Sequence, residues 1–167
     1  VQAFDSLTGA PRWQFDPLLG HASSGSANVW APMSVDEAHG LLYLPTSAPS
    51  PDYYGAQRPG DNLYTDSTVA LDADTGELKW YFQYTPNDPF DYDEVGVALL
   101  IDGVVNGESR KLVGHFARNG FYYNLDRTNG QFISAKNHVS VTWAKGFDAN
   151  GRPIINPEAH YGTDPVL

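Results

Sequence analysis

A short pattern that ends in tryptophan occurs twice in this chain, and it restricts the fold more than any other feature. Residues 3–13 read AFDSLTGAPRW and residues 70–80 read ALDADTGELKW, and both fit A-x-D-x-x-T-G-x-x-x-W. A third copy, NLDRTNGQFIS at 124–134, keeps the aspartate and the glycine but lacks the tryptophan. The pattern predicts a β-hairpin in which Asp caps the turn and Gly adopts a positive φ. Copies of one hairpin predict stacked supersecondary units.

The segments between these copies alternate between apolar and polar residues and are bounded by turn residues, which is typical of strands. The predicted strands are 28–35, 41–46, 68–73, 78–84, 96–102, 111–117, 121–126 and 131–135. Four-stranded antiparallel units that repeat around an axis form a β-propeller. We therefore predict an all-β fold, a β-propeller fragment with two complete four-stranded blades at 28–84 and 96–136. The end of a blade at 1–17 precedes them, and the start of a further blade at 137–167 follows.

This topology predicts which loops lie together. Alternate strands of a blade run in opposite directions, so the connections 47–67, 85–95 and 117–120 open on one face and the glycine turns of the repeat on the other. Connections longer than about 12–15 residues without secondary structure of their own are usually functional or disordered, and 47–67 exceeds that length. Its tyrosine pair at 53–54 can line a path for substrate or pack across the loop. Trp30 is predicted to start a strand on the same face.

Charge and composition exclude several classes of function. The chain has 20 acidic and 10 basic residues, a formal net charge of −10, so we expect no nucleic-acid partner. It has no run of about 18 apolar residues, and we expect no membrane span. The five histidines show no metal-ligand spacing, and the lack of cysteine excludes disulfides and thiolate metal sites. The chain starts abruptly in a predicted strand and shows no signal peptide, so we expect it to be an internal part of a longer protein.

Four further motifs follow one another along the chain: VWAPMSVDE, PDYYGAQRPGDNLY, TPNDPFDYD and HFARNGFYYNLDRTNG. Together with the tryptophan pattern they resemble the eight-bladed propeller quinoproteins, which are alcohol and sugar dehydrogenases that depend on pyrroloquinoline quinone (PQQ). The resemblance covers essentially the whole chain. It implies a periplasmic oxidoreductase that oxidises an alcohol or sugar hydroxyl with PQQ as electron acceptor and passes the electrons to cytochrome c or ubiquinone.

The resemblance also implies roles for individual residues. A tryptophan that stacks beneath the PQQ ring aligns with Trp30. The aspartate of a (W/F)-D-Y motif, which ligates the metal and acts as general base, aligns with Asp91. A basic residue that contacts the quinone oxygens follows about 27 residues later, and Arg118 stands at that interval, since 118 − 91 = 27. In this family a hard metal ion polarises the quinone C5 carbonyl, and the aspartate takes the proton of the substrate hydroxyl.

Two further positions concern the metal. Members that use lanthanides carry a second aspartate two residues after the catalytic one, as Asp93 does here, although sugar-oxidising relatives share it. Alternation along an extended segment would point Asp91 and Asp93 in one direction, as joint ligation requires. Such hard oxygen ligands suit Ca²⁺ or a lanthanide ion. Many members add an Asn ligand from a T-G-N-P motif, whereas this chain has T-S-A-P, with Ala48 at the aligned position.

Two other functions and several structural interpretations stay open. A non-catalytic propeller can use the same repeats for protein binding or assembly, but it has no need of the aligned site residues. A carbohydrate hydrolase can use Asp88 and Asp91 as its acid and base. Asp88 also fits a turn cap, and Arg118 fits an ion pair with a neighbouring acid. Trp13 and Trp80 are interpreted as packing between blades.

Overall fold

The computed structural model describes residues 1–18 and 25–159. The strands are β1 (Gln2–Phe4), β2 (Pro11–Gln14), β3 (Ser34–Asp36), β4 (Leu41–Pro45), β5 (Ser67–Asp72), β6 (Leu78–Gln83), β7 (Leu99–Val105), β8 (Glu108–Phe116), β9 (Phe121–Asp126), β10 (Phe132–Asn137), β11 (Ala144–Phe147) and β12 (Pro153–Ile155). Two short 3₁₀ turns occur, at Gly55–Gln57 and Pro157–Ala159. Across the described residues, no helix has the length and apolar character that crossing a bilayer requires.

The strands form two four-stranded antiparallel sheets, each an up-and-down meander. One sheet has the order β3-β4-β5-β6 and the other β7-β8-β9-β10, and the hairpins β1-β2 and β11-β12 flank them. The predicted all-β propeller architecture is confirmed. The blade boundaries 1–17, 28–84, 96–136 and 137–167 stay predictions. Residues 19–24 and 160–167, with His21 and His160, lie outside the described residues.

The three repeat turns share the predicted chemistry. In each turn one oxygen of the aspartate accepts hydrogen bonds from backbone N–H groups two or three residues later; these aspartates are Asp5, Asp72 and Asp126. The glycine four residues after each aspartate has a φ of +72°, +74° or +75°; these glycines are Gly9, Gly76 and Gly130. The carboxylate caps the turn and glycine relieves the steric cost of a positive φ, so the hairpin prediction is confirmed.

The repeated tryptophans join one unit to the next. Trp13 packs on Gly76 so closely that a Cβ there would lie 2.6 Å from the indole, and its Nε1 donates to Ala73 O at 3.1 Å. Trp80 packs on Gly130 with the same 2.6 Å approach. Glycine is therefore needed in this turn for two reasons: it adopts the positive φ, and its lack of a side chain leaves room for the indole ring. The interpretation of both tryptophans as packing between blades is confirmed.

The third copy of the repeat also docks, with a different side chain. Phe132, two residues before the position where the pattern places Trp, packs directly on Gly151. Gly151 closes a further turn, DAN-G at 148–151, in which Asp148 accepts a hydrogen bond from Asn150 N at 2.8 Å. Sequence reasoning missed this turn because its glycine follows the aspartate by three residues and not by four.

The strand predicted at 28–35 is wrong over most of its length, and so is the placement of Trp30 in a strand. Strand β3 covers only Ser34–Asp36. Pro32 lacks the N–H that a ladder needs, which ends regular pairing towards the N-terminal side. The chain still runs beside its neighbour, because Ser47 N donates to Asn28 O at 2.9 Å. Trp30 therefore lies in irregular chain that follows the loop face.

The strands β7 and β8 are longer than predicted at their shared end. Strand β7 ends at Val105 and β8 begins at Glu108, so only Asn106 and Gly107 separate them. Both of these residues have a positive φ, +53° and +84°, as a two-residue type I′ hairpin requires. The Asn-Gly pair is the sequence signal that fixes this register.

Candidate active site

Three loops meet at one end of the two sheets, where the prediction placed them. The loop that follows β4 and the loop that follows β6 touch through Ala48, whose N–H donates to Asp93 Oδ1 at 2.6 Å. The turn after β8 joins them through Arg118, whose Nη1 lies 3.6 Å from Asp93 Oδ2. Arg118 is thus brought from a separate part of the sequence to the loop that carries Asp91 and Asp93. The ion pair also shows that Arg118 has a neighbouring acid as partner.

Asp88 shapes the loop that carries the two site aspartates. Its side chain is fully buried, and its two oxygens accept hydrogen bonds from Phe90 N at 2.7 Å and Tyr92 N at 2.5 Å. This confirms Asp88 as a cap of the loop. The hydrolase hypothesis is wrong for the same reason, since a carboxylate enclosed in this way cannot reach a substrate.

The backbone at Asp91 differs from the prediction. Asp91 has a φ of +61°, so the segment is not extended there and simple alternation does not set the side-chain directions. The two carboxylates nevertheless lie close enough to repel. Burial raises the pKa of Asp91, and the negative charges of Asp93 and Asp52 raise it further, while Arg118 lowers it. A cation at this point would relieve that repulsion.

The open side of Asp91 faces a tyrosine. The hydroxyl of Tyr53 donates to Asp91 Oδ2 at 3.4 Å, and 66% of this tyrosine is exposed. The charge of Asp91 is the main reason that the pKa of Tyr53 is raised. An O–H donor can therefore reach Asp91 from solvent.

Ala48 and Trp30 occupy neighbouring stretches of chain. Ala48 is buried and has no side-chain oxygen, but its main-chain N–H holds Asp93 in place. The hydrogen bond from Ser47 to Asn28 sets the segment of Trp30 beside it. The indole of Trp30 is 60% exposed, so it presents a flat apolar surface to solvent.

Arg58 ties the long loop to the aspartate loop, and sequence reasoning missed it. The residue is fully buried, its Nη1 donates to Asn62 Oδ1 at 2.8 Å, and its Nε donates to Pro51 O at 2.9 Å. Its Nη2 donates to the backbone oxygen of Asp88. A planar guanidinium with five donors suits such a position, because it satisfies carbonyls from several segments at once. The only hint in the sequence was a lone arginine among turn residues, QRPGDN.

A second acid lies buried beneath this loop. Asp66 is fully buried, and within the described part of the chain neither of its carboxylate oxygens makes a hydrogen bond of good geometry. Burial raises the pKa of Asp66 well above its usual range, and the charges of Asp88 and Glu94 add to the effect. Burial likewise raises the pKa of Asp88 to about 6.

The contribution of Asp66 and Asp88 to stability should therefore fall as pH rises above 4, and Asp66→Asn should reduce that fall. The folded-state pKa values of both acids exceed the unfolded ones, so their stabilising contribution is present below about 4 and is lost as pH rises, for Asp88 through about 6. We expect the full-length variant to melt several degrees higher than wild type at pH 7.5 and at the same temperature near pH 4. Asp74→Asn, at an exposed turn position, should leave the dependence of melting temperature on pH unchanged. A melting temperature that differs from wild type by the same amount at every pH in Asp66→Asn would contradict this account.

The donor set fits a hard cation and a planar quinone. Two carboxylates and a phenol supply oxygen donors, and the guanidinium of Arg118 is half-exposed. The indole of Trp30 is exposed, and no contact joins it to these groups in the described residues. Ca²⁺ takes six to eight oxygen ligands, so Asp91 and Asp93 are a partial set. In residues 1–18 and 25–159, no group of three or more His, Cys, Asp or Glu side chains is arranged to hold a metal ion.

The sequence profile of one protein family matches most of the chain. Residues 1–145 match the family described as "PQQ: Glucose/ethanol/alcohol dehydrogenase, beta-propeller domain". The chain belongs to this family. The predicted resemblance to the PQQ-dependent dehydrogenases is confirmed.

Individual relatives of this PQQ dehydrogenase domain agree with the match. A crystal structure of quinohemoprotein alcohol dehydrogenase from Comamonas testosteroni superposes with a TM-score of 0.87 at 38% identity, over 95% of this chain and 28% of that one. A europium-containing methanol dehydrogenase gives 0.86 at 33% identity, over 94% and 33%. The 1-butanol dehydrogenase (cytochrome c) of Thauera butanivorans is 50% identical over 67% of this chain and 16% of its own length. The chain spans about a quarter of the length of the first curated relatives it matches.

Proposed function

We propose that the full-length protein is a PQQ-dependent dehydrogenase that oxidises the hydroxyl group of a small alcohol. The observation that carries the proposal is that Arg118, from the turn after β8, meets the loop of Asp91 and Asp93 in a chain of this family. A non-catalytic propeller would need the docking tryptophans on the opposite face but not this group of charges.

Asp91 is the proposed general base and a metal ligand. Its carboxylate is accessible on the side where Tyr53 donates an O–H, so a substrate hydroxyl can donate to the same oxygen. Burial raises the pKa of Asp91, and the charges of Asp93 and Asp52 raise it further. Cation binding between the carboxylates would lower that pKa again and keep Asp91 ionised at neutral pH.

The other predicted residues hold and orient the cofactor in this proposal. Asp93, fixed by the Ala48 N–H, offers a second oxygen to the cation. Arg118 faces the same point and can stabilise negative charge that develops on quinone oxygens. Trp30 offers an exposed aromatic face on which a planar ring can stack. Bound PQQ supplies the two-electron acceptor chemistry, with the metal acting as Lewis acid.

The proposed partners rest on the relatives. The printed name of the 1-butanol dehydrogenase includes cytochrome c, and we propose cytochrome c as the electron acceptor. We also propose a periplasmic location, which rests on the family resemblance alone. The resemblance also implied sugars as substrates and ubiquinone as electron acceptor, and the same assays test these alternatives.

Reconstitution of the full-length protein tests the proposal. The apoprotein is loaded with PQQ together with Ca²⁺ or La³⁺, and dye-linked oxidation is measured on primary alcohols and on aldoses. We expect quinone absorbance to accompany the protein and turnover of alcohols with at least one metal. A preparation that binds no PQQ and oxidises nothing with either metal would refute the proposed function.

The choice of metal should depend on Asp93. Trivalent lanthanides require more negative charge from their ligands than Ca²⁺ does, so Asp93→Ala should reduce lanthanide affinity about tenfold or more and Ca²⁺ affinity less. Calorimetric titration of the full-length apoprotein with LaCl₃ and CaCl₂ measures both constants. Asp52→Ala, a nearby acid without a predicted ligand role, is the control. Equal losses for the two metals would show that Asp93 does not select between them.

A further inference from the structure

A buried histidine and glutamate pair lies directly behind the site and has no role in the proposed chemistry. Glu94 follows Asp93 in the chain, but its side chain points inwards and is fully buried. Its Oε2 lies 2.5 Å from Nε2 of His115, which is also fully buried. His115 belongs to β8, three residues before Arg118. One buried hydrogen bond thus connects the aspartate loop to the strand that leads to Arg118.

The imidazole has little freedom to move. Its ring stacks on Tyr84 with centroids 4.6 Å apart and an interplanar angle of 23°. The hydroxyl of Tyr84 shares a hydrogen bond of 2.8 Å with Thr68 on the neighbouring strand. On another side Gly96 leaves just enough room, because a Cβ at that position would lie 3.1 Å from the ring. Glu94 itself is fixed by its backbone N–H, which donates to Thr46 O at 3.1 Å.

The pair of Glu94 and His115 costs stability at this buried position. Within the described residues, Glu94 Oε1 and His115 Nδ1 have no hydrogen-bond partner although both are buried. Leaving buried polar atoms unsatisfied costs about 1–3 kcal/mol each, and apolar side chains of similar volume often stabilise such a place as well or better. Stability alone therefore does not account for a histidine and a glutamate here.

We propose that Glu94 and His115 are positioning residues, whose hydrogen bond sets the place of Asp93 relative to Arg118. Asp93 receives the Ala48 N–H on one oxygen and faces Arg118 at 3.6 Å with the other. Without the bond behind it, the aspartate loop is still held to the loop after β4 but loses this buried link to β8, and the cation site can shift relative to the guanidinium. The expected effect on catalysis rests on the proposed PQQ chemistry, whereas the expected effect on the position of the aspartate loop does not.

Three variants of the full-length protein distinguish an effect on the position of the aspartate loop from an effect on the stability of the fold. Glu94→Gln keeps the shape and can still hydrogen-bond to the imidazole. Glu94→Leu removes the bond, and the double variant Glu94→Leu/His115→Leu replaces the pair by apolar groups. His39→Leu is the matched control, because it removes another hydrogen bond between histidine and carboxylate, 2.8 Å to Asp36, at a turn outside the three site loops.

The readouts are hydrogen exchange of residues 89–96, melting temperature, and La³⁺ and Ca²⁺ affinity of the apoprotein. We expect Glu94→Leu and the double variant to speed exchange in this segment and to weaken metal binding by about 10–100-fold, the usual effect of a lost supporting partner. Glu94→Gln should stay within about threefold of wild type. The double variant should regain the melting temperature without regaining affinity, a split that a merely structural role would not produce.

Two results would overturn the proposal. One is unchanged exchange of residues 89–96 in Glu94→Leu, and the other is a double variant that recovers exchange protection and affinity together with stability. If the wild-type protein binds neither metal but exchange still rises in Glu94→Leu, the proposed function fails and the positioning role stands.

Discussion

We expect Asp91→Asn to lower kcat of the reconstituted full-length enzyme by about 10²–10⁴-fold, the usual contribution of a general base. The amide keeps the shape of the side chain and one oxygen donor, but it cannot accept the proton of the substrate hydroxyl. The measurement is dye-linked alcohol oxidation at saturating substrate. Metal content and quinone absorbance are determined on the same sample.

A matched control separates loss of the base from loss of nearby charge. Asp52 contributes to the negative charge around Asp91 but has no predicted role in proton transfer. Asp52→Asn should therefore change kcat by no more than about threefold, the scale of a modest electrostatic perturbation. If Asp91→Asn retains PQQ and metal and still turns over at the wild-type rate, the base is another residue.

The second large effect concerns the docking face. Gly130→Ala in the full-length protein should destabilise it by about 3 kcal/mol, in two parts. Roughly 1 kcal/mol arises because alanine is strained at a φ of +75°, and about 2 kcal/mol because the new Cβ overlaps the indole of Trp80. Thermal melting by circular dichroism measures the change.

Gly40→Ala is the control for the backbone part. Gly40 has a φ of +63° in the turn between β3 and β4, and nothing lies within 4 Å of the position that a Cβ would take. This variant should show only the strain of about 1 kcal/mol. Equal losses of melting temperature in the two variants would show that the indole accommodates the extra methyl group and that docking is not tight.

The sequence allowed prediction of the features that depend on local chemistry. A carboxylate that caps a turn and a glycine at positive φ leave a recognisable spacing, and so the hairpins at Asp5, Asp72 and Asp126 could be located from the residues alone. The meeting of Asp91, Asp93 and Arg118 followed from strand direction, because antiparallel strands return their loops to fixed faces.

Other features depend on contacts between distant residues and left no local signal. The positive φ of Asp91 is fixed by hydrogen bonds to the buried Asp88, and spacing along an assumed extended segment could not show it. Arg58, Asp66 and the pair of Glu94 and His115 occupy the interior because of tertiary contacts. Charged residues in loops are normally solvated, so their burial went against the average tendency of their residue types.

The docking of Trp80 on Gly130 has a consequence for the chemistry at the far end of the same strands. A six-residue strand is about 20 Å long, so tilting one blade by about 3° at the indole displaces its opposite end by roughly 1 Å. Misplacement of a reacting group by 1 Å can cost about 10²-fold in rate. Asp93 follows β6 in one sheet, whereas Arg118 follows β8 in the next, so the angle between the sheets sets their separation. Substitutions under the indole can therefore act as catalytic mutations at long range, with normal cofactor content and a reduced rate.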